Sequence, residues 1–288
     1  MAQANSTTLP NAKEFYSDAK RIGSKDKSVG WYNQTFSGTP ADIRQLLEGY
    51  SRIQPSEVDA HVCTIRDKAW DIFPFPCVGQ FKFLTLSLYK LPAYQSMLNR
   101  LKQGAQYLDI GCCLGQDLRK LVADGAPPEN LHGAELWAAF IDLSYELFKD
   151  QDLSSHLFQA DALNLSDKSS LAALKGKMDF IHLGMILHVF NLEKQQVFLE
   201  NCVSLLKPEP GCLIVGTAVG DVEGTPATAQ NFMHSDSTFR EMWSSIGKRT
   251  GLNFSCRVSL DDGLAIPTAS QKHGSDRARR LVFEVERL

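Results

Sequence analysis

No stretch of this 288-residue chain is a continuous apolar run long enough to cross a bilayer. Its start, MAQANSTTLP, lacks the basic residues and apolar centre of a secretory signal, so the sequence reads as a cytoplasmic protein. Charge of one sign is also missing. Thirty Lys and Arg stand against 33 Asp and Glu, for a net charge of -3 and a pI near 6.2. That balance leaves no basic footprint for a nucleic-acid partner. The seven cysteines show no zinc spacing, and the adjacent side chains of Cys112 and Cys113 diverge, so no metal site is expected. They read as small buried hydrophobes. Repeats and low-complexity blocks are absent as well. What remains is a chain that is 43% hydrophobic, enough for one large domain with a helical appendage. Nothing in it decides the oligomeric state, which leaves a homodimer open.

Residues 1–35 are polar and mixed, a loose arm or short helices. TPADIRQLLEGYSRI predicts a helix, with Thr39 as N-cap, Pro40 in the first turn, and Ile43, Leu46 and Leu47 on one face. A second helix opens after Pro55 (SEVDAHVCTIRDKAW), an aromatic and proline stretch follows (WDIFPFPCVGQFKFL), and a third helix ends at Gly104. The division expected is an N-terminal helical cap over residues 1–103 and a sheet-forming domain over 104–288. In the second part, short apolar runs (AQYLDIGC, NLHGAEL, HLFQADAL, MDFIHLGMI, GCLIVGTAV) alternate with helical segments, which predicts right-handed crossovers and a parallel sheet. SLAALKGK reads as a short helix among them. At the end two strands, NFSCRVSLDD and RRLVFEVERL, are separated by loop residues alone and should pair as an antiparallel hairpin, closing a seven-stranded α/β sheet.

YLDIGCCLGQD carries the most information. An apolar strand delivers Asp109, and Gly111-x-x-x-Gly115 then turns the chain into a helix, leaving the backbone open to a ligand. The dinucleotide fingerprint Gly-x-Gly-x-x-Gly fails, because Cys113 and Gln116 occupy its second and third glycine positions. Glu135 ends the next strand 26 residues beyond Asp109, where a carboxylate can accept from ribose hydroxyls. Asp161, followed by Ala162, ends the third strand, where an acid can accept from an adenine amino group. Ligands collect along the carboxyl edge of such a sheet, so three acids on three successive strands point to a nucleoside-type ligand.

These residues resemble the class I S-adenosylmethionine (SAM)-dependent methyltransferases over roughly residues 104–288. LDIGCCLG matches their glycine loop, GAEL the ribose acid, QADA the adenine acid and LLKPEPGCLIVG the entry to the fifth strand. The segments WDIFPFPCVGQFKFL, YLDIGCCLGQDLRKLVADG and NFMHSDSTFREMW are similar to fungal enzymes that methylate polyketide-derived or meroterpenoid intermediates, several of which esterify a carboxyl group. The resemblance implies a Rossmann-like sheet, SAM as cofactor, a small-molecule acceptor, and an N-terminal segment closing over it. It implies Asp109, Gly111, Cys113, Gly115, Glu135, Leu136, Asp161, Ala162, Leu183 and Phe81 around the cofactor, with Asp109 facing the methionine amino group. Cys113 departs from the commoner middle glycine of that loop, where only small size is expected to matter.

A carboxylic acid is ionised at pH 7 and needs no base, whereas a phenol would benefit from a nearby histidine. His188, after the fourth strand, and His234, in NFMHSDSTF after the fifth, are the candidate catalytic groups; His182, inside the fourth strand, reads as a core histidine. Phe83, Tyr89 and Trp243 are candidate acceptor contacts, the aromatic cluster reading otherwise as plain core. The rivals are a protein or nucleic-acid methyltransferase, a non-catalytic SAM-binding regulator and an NAD-dependent reductase.

Overall fold

The computed structural model describes residues 25–153, 156–264 and 276–288. Its centre is a seven-stranded sheet of order β3-β2-β1-β4-β5-β7-β6. The strands are β1 (Tyr107–Ile110), β2 (Leu131–Glu135), β3 (Leu157–Gln159), β4 (Phe180–Gly184), β5 (Leu213–Asp221), β6 (Phe254–Asp261) and β7 (Ala278–Arg287). β1 to β5 are parallel; β7 pairs antiparallel with both β5 and β6, as the helix-free spacing of the last two strands requires.

The pleat sorts the residues of each strand between two faces. Leu108, Ile110, Ile181, Leu183 and Ile214 face α7 (Leu192–Leu205) and α8 (Asp236–Thr250) in one core. Tyr107, Phe180, Leu213 and Val215 face the opposite side, where α4 (Tyr94–Leu101), α5 (Gln116–Ala123) and α6 (Ala138–Phe148) pack. A third core joins α1 (Ala41–Gly49), α2 (Val58–Ile72) and the short α3 (Pro76–Gly79) to the outer side of α6 through Trp70, Phe140, Leu147 and Phe148. The N-terminal helices therefore sit beside the glycine loop, whose Leu114 belongs to the same core.

Two local expectations are corrected. Thr39 does not cap α1; Pro40 occupies that position without a side-chain bond, and the Thr39 amide (3.0 Å) and hydroxyl (2.6 Å) both donate to Asp59 of α2. A carboxylate across the helix pair outcompetes a local cap because one acceptor satisfies two donors. SLAALKGK forms a five-residue 3₁₀ turn, Ser170–Leu174, in place of an α-helix. No described helix is long and apolar enough to cross a membrane.

Candidate active site at the carboxyl edge of the sheet

The chain between β1 and α5 is left-handed at alternate residues: Gly111 (φ 73°), Cys113 (φ 52°) and Gly115 (φ 63°). A side chain at Gly111 would meet the Ile186 side chain at 2.6 Å, and one at Gly115 would collide with the Arg119 guanidinium. Cys113 takes the conformation of a middle glycine and bears its cost, about 1–2 kcal/mol. Backbone angle, as well as small size, therefore constrains that position.

Glu135 holds this loop. Its carboxylate accepts the Cys113 amide at 2.9 Å and the Trp137 amide at 3.2 Å, while the Gly111 and Cys112 amides donate to the Ala134 carbonyl (2.8 and 3.2 Å). Burial raises the Glu135 pKa, against the lowering effect of the amides it accepts. Each carboxylate oxygen keeps a further lone pair, so the group can accept two more hydrogen bonds from a ligand.

Asp109 is 4% exposed and accepts from His182 Nδ1 at 3.0 Å across the register that pairs the two residues. Burial lowers the His182 pKa, but the charges of Asp109 and Asp117 and the Asp109 hydrogen bond outweigh it, and the net shift is upward. Asp117 is buried in the first turn of α5 and accepts from the Ser87 amide (3.0 Å), the Ser87 hydroxyl (2.9 Å) and the Leu88 amide (3.0 Å). This carboxylate fastens the N-terminal segment to the helix that follows the glycine loop.

Other edge residues lie near the expected positions. Asp161 is half-buried just past β3, with one oxygen on the Leu163 amide at 2.9 Å. Ala162 and Leu136 are half-buried, and their carbonyls accept from Asn201 (2.9 Å) and Gln159 (3.0 Å). Cys77 of α3 has an exposed side chain, yet burial pushes its thiol up to about 11, with the charge of Glu135 contributing. Burial also raises the thiol of half-buried Cys113, with the charges of Cys77 and Glu135 contributing. Cys77 was not singled out from the sequence; the Pro76 that starts its helix was the one local sign.

Five further expected site residues are engaged in packing or local bonds. Leu183 is fully buried on the face toward α7 and α8; β4 ends at Gly184, and Met185 just beyond it is 40% exposed. Phe81 is buried in the N-terminal core between the Arg66 guanidinium (4.4 Å) and the Phe36 ring (4.3 Å). Phe83 is buried in the same core. Trp243 packs between Phe239 and Phe254 beneath the sheet. Tyr89 turns outward and donates to Asp42 of α1 at 3.0 Å.

His234, expected as a catalytic group, is enclosed by neighbouring side chains. It is 2% exposed, and both ring nitrogens are engaged, Nδ1 with the Thr238 hydroxyl (3.0 Å) and Nε2 with Gln195 Oε1 (2.9 Å). The Gln195 amide donates to the Phe190 and Phe232 carbonyls, so its Oε1 must accept, and His234 must carry its proton on Nε2. His234 is a strut behind the segment after β4. His188 does lie in that segment: its Nδ1 accepts the Val219 amide at 3.3 Å, and its ring is half-buried.

A sheet of this order, ending in an antiparallel hairpin and carrying a glycine turn after β1, defines a class I SAM-dependent methyltransferase fold. Residues 31–84 match the family model of a meroterpenoid methyltransferase N-terminal domain, and residues 108–209 that of a methyltransferase domain. The chain is 40% identical to the O-methyltransferase atr3 of Stereocaulon alpinum, covering 91% of this chain and 77% of that one. It is 36% identical to the O-methyltransferase phiE of a fungal species (85% and 84% covered) and 38% identical to the methyltransferase ausD of Penicillium brasilianum (78% and 82%). A solved structure assigned as a sarcosine dimethylglycine methyltransferase from Galdieria sulphuraria shares the fold at TM-score 0.50 and 12% identity, over 67% of this chain and 81% of that one. The chain belongs to the family of these fungal methyltransferases and is a SAM-dependent O-methyltransferase.

Two outcomes follow. Cys113→Gly will keep SAM affinity within about threefold by calorimetry, since glycine carries no left-handed penalty, whereas the β-branched Cys113→Val will abolish binding. Stability will fall as pH drops from about 6.5 to about 4, because unfolded His234 takes up a proton that the folded residue, held near 4 by burial, refuses. His188 adds to this slope, whereas His182, shifted upward, changes stability only above about 6.5, where its contribution is lost as pH rises. Denaturant melts across that range will show a shallower slope for His234→Gln; an unchanged slope would exclude His234 as a source.

Proposed function

We propose that the enzyme esterifies a carboxylate oxygen of a small polyketide-derived or meroterpenoid acid. The observation that carries this choice over a phenol is the engagement of His234: the histidine best placed in sequence to take a proton has no free nitrogen and no access. A carboxylic acid, with a pKa near 4, arrives ionised and needs no proton acceptor, whereas a phenol near 10 does. The meroterpenoid description of the family matched by residues 31–84 supports the acceptor class.

The residues at the sheet edge fit the cofactor. Glu135 would accept the ribose hydroxyls with its remaining lone pairs, and Asp161 would accept from the adenine amino group. Leu136 and Ala162 would flank the purine, and the loop from Gly111 to Gly115 would lie under the methionine end. Asp109, with one oxygen on His182, would reach the amino group through its other oxygen or through water. The segment up to residue 103 would act as a cap, closing over residues 104–288 and excluding water. Bound SAM would supply an electrophilic methyl group on a cationic sulfur that leaves as the neutral thioether, and an ionised acceptor oxygen would need no proton removed to take it. Alignment of oxygen, methyl and sulfur is then the protein's main contribution. The seven unpaired cysteines suit a reducing compartment such as the cytoplasm.

With SAM carrying a labelled methyl group and a panel of aromatic polyketide acids and phenols, the label will appear in a product that mild base hydrolyses to methanol. A base-stable aryl ether as the sole product would overturn the carboxylate assignment.

A further inference from the structure

The segment after β4 leaves one hydrogen-bonding atom uncommitted at the sheet edge. Ile186 reaches over Gly111, within 2.6 Å of where a side chain there would stand, so this segment borders the glycine loop. His188 follows two residues later. The last β4–β5 pair joins Gly184 to Thr217, and two residues on, the Val219 amide donates to His188 Nδ1 at 3.3 Å. A ring nitrogen that accepts carries no proton, so the neutral imidazole holds its proton on Nε2.

The ring is also kept neutral. Burial alone, with no charged group contributing, pulls its pKa down to about 4, and the residue keeps part of its surface exposed. Nε2 has no partner among the described residues. The backbone is fixed from behind: Asn231 donates to the carbonyls of His188 (3.3 Å) and Val189 (3.2 Å). The Phe190 carbonyl accepts from Gln195 (3.1 Å) and from the Phe232 amide (2.8 Å), and Gln195 is set by His234. The result is a preorganised N–H donor at the strand edge.

We infer that His188 Nε2–H donates a hydrogen bond to one oxygen of the acceptor carboxylate and so turns the other oxygen toward the methyl group. This rests on the carboxylate reading above and assigns His188 the part of a specificity-determining donor, not a base. Its proton stays on the ring throughout. Acceptors that arrive ionised are favoured, and a neutral phenol gains no help in losing its proton.

Two variants separate the ends of the ring. His188→Asn keeps an acceptor for the Val219 amide but leaves no atom where Nε2 stands. His188→Gln places an amide N–H near that point. The first therefore tests the donor, and the second is its rescue.

For His188→Asn, KM for the acid will rise about ten- to a hundredfold, the value of one lost hydrogen bond to a charged group, while SAM affinity and the melting temperature hold. His188→Gln will recover most of that loss. Nitrogen NMR of the ligand-free protein will show His188 as the Nε2–H tautomer, unchanged between about pH 5.5 and about pH 8. A proton on Nδ1, a titration near an ordinary histidine pKa, a wild-type KM in the His188→Asn variant, or no recovery in His188→Gln would each overturn the inference. If the wild-type enzyme makes only aryl ethers, the carboxylate reading fails instead, and the nitrogen spectrum still reports the tautomer independently.

Discussion

The tie between Glu135 and the amide of Cys113 is the contact on which the rest of the site depends. It joins the end of β2 to the middle of the loop after β1, and it holds a cysteine in a backbone conformation that costs a side-chain-bearing residue about 1–2 kcal/mol. A hydrogen bond from an amide to a charged carboxylate contributes about 1.5–3 kcal/mol, enough to offset that strain. The same carboxylate would accept from the ribose, so the group that shapes the loop is also the group that would read the ligand. One residue thereby couples the folding of the edge to its use.

The two ends of the site are built from different materials. On the cofactor side the ties are charged: Glu135 on backbone amides, Asp109 on His182, and Asp117 on the amides and hydroxyl of the N-terminal segment. On the acceptor side they are neutral, running from Thr238 through His234 and Gln195 to the carbonyls of Phe190 and Phe232. A chain of neutral donors and acceptors fixes geometry without placing a competing charge beside the anionic acceptor proposed above. Both ends rest on the sheet, whose register brings Asp109 opposite His182.

Much of this was legible in the sequence, for reasons that are local. The alternation of short apolar runs with helical segments predicts β1 to β5, and the missing helix before β7 predicts the hairpin. Glycines flanking a strand end mark the loop, and spacing alone brings Glu135 to the end of β2. What was not legible depends on partners distant in the chain. His234 reads as a catalytic group, and nothing local foretells that Gln195, 39 residues away, engages its Nε2. Thr39 reads as a cap until Asp59 takes its hydroxyl. Leu183 stands at the right place along β4, yet its side chain belongs to the core toward α7 and α8. Phe81 and Trp243 show the limit for aromatics, since the same ring suits a lid or a core and only packing decides.

Glu135 and the left-handed loop beside it are proposed as the SAM site. Calorimetric titration of the wild-type protein and of Glu135→Ala with S-adenosylhomocysteine tests this most directly. The account predicts saturable binding near one per chain for the wild type, and binding weaker by about a hundredfold or more for a variant that still unfolds cooperatively. Equal affinity in the two proteins, or none in the wild type, would contradict it.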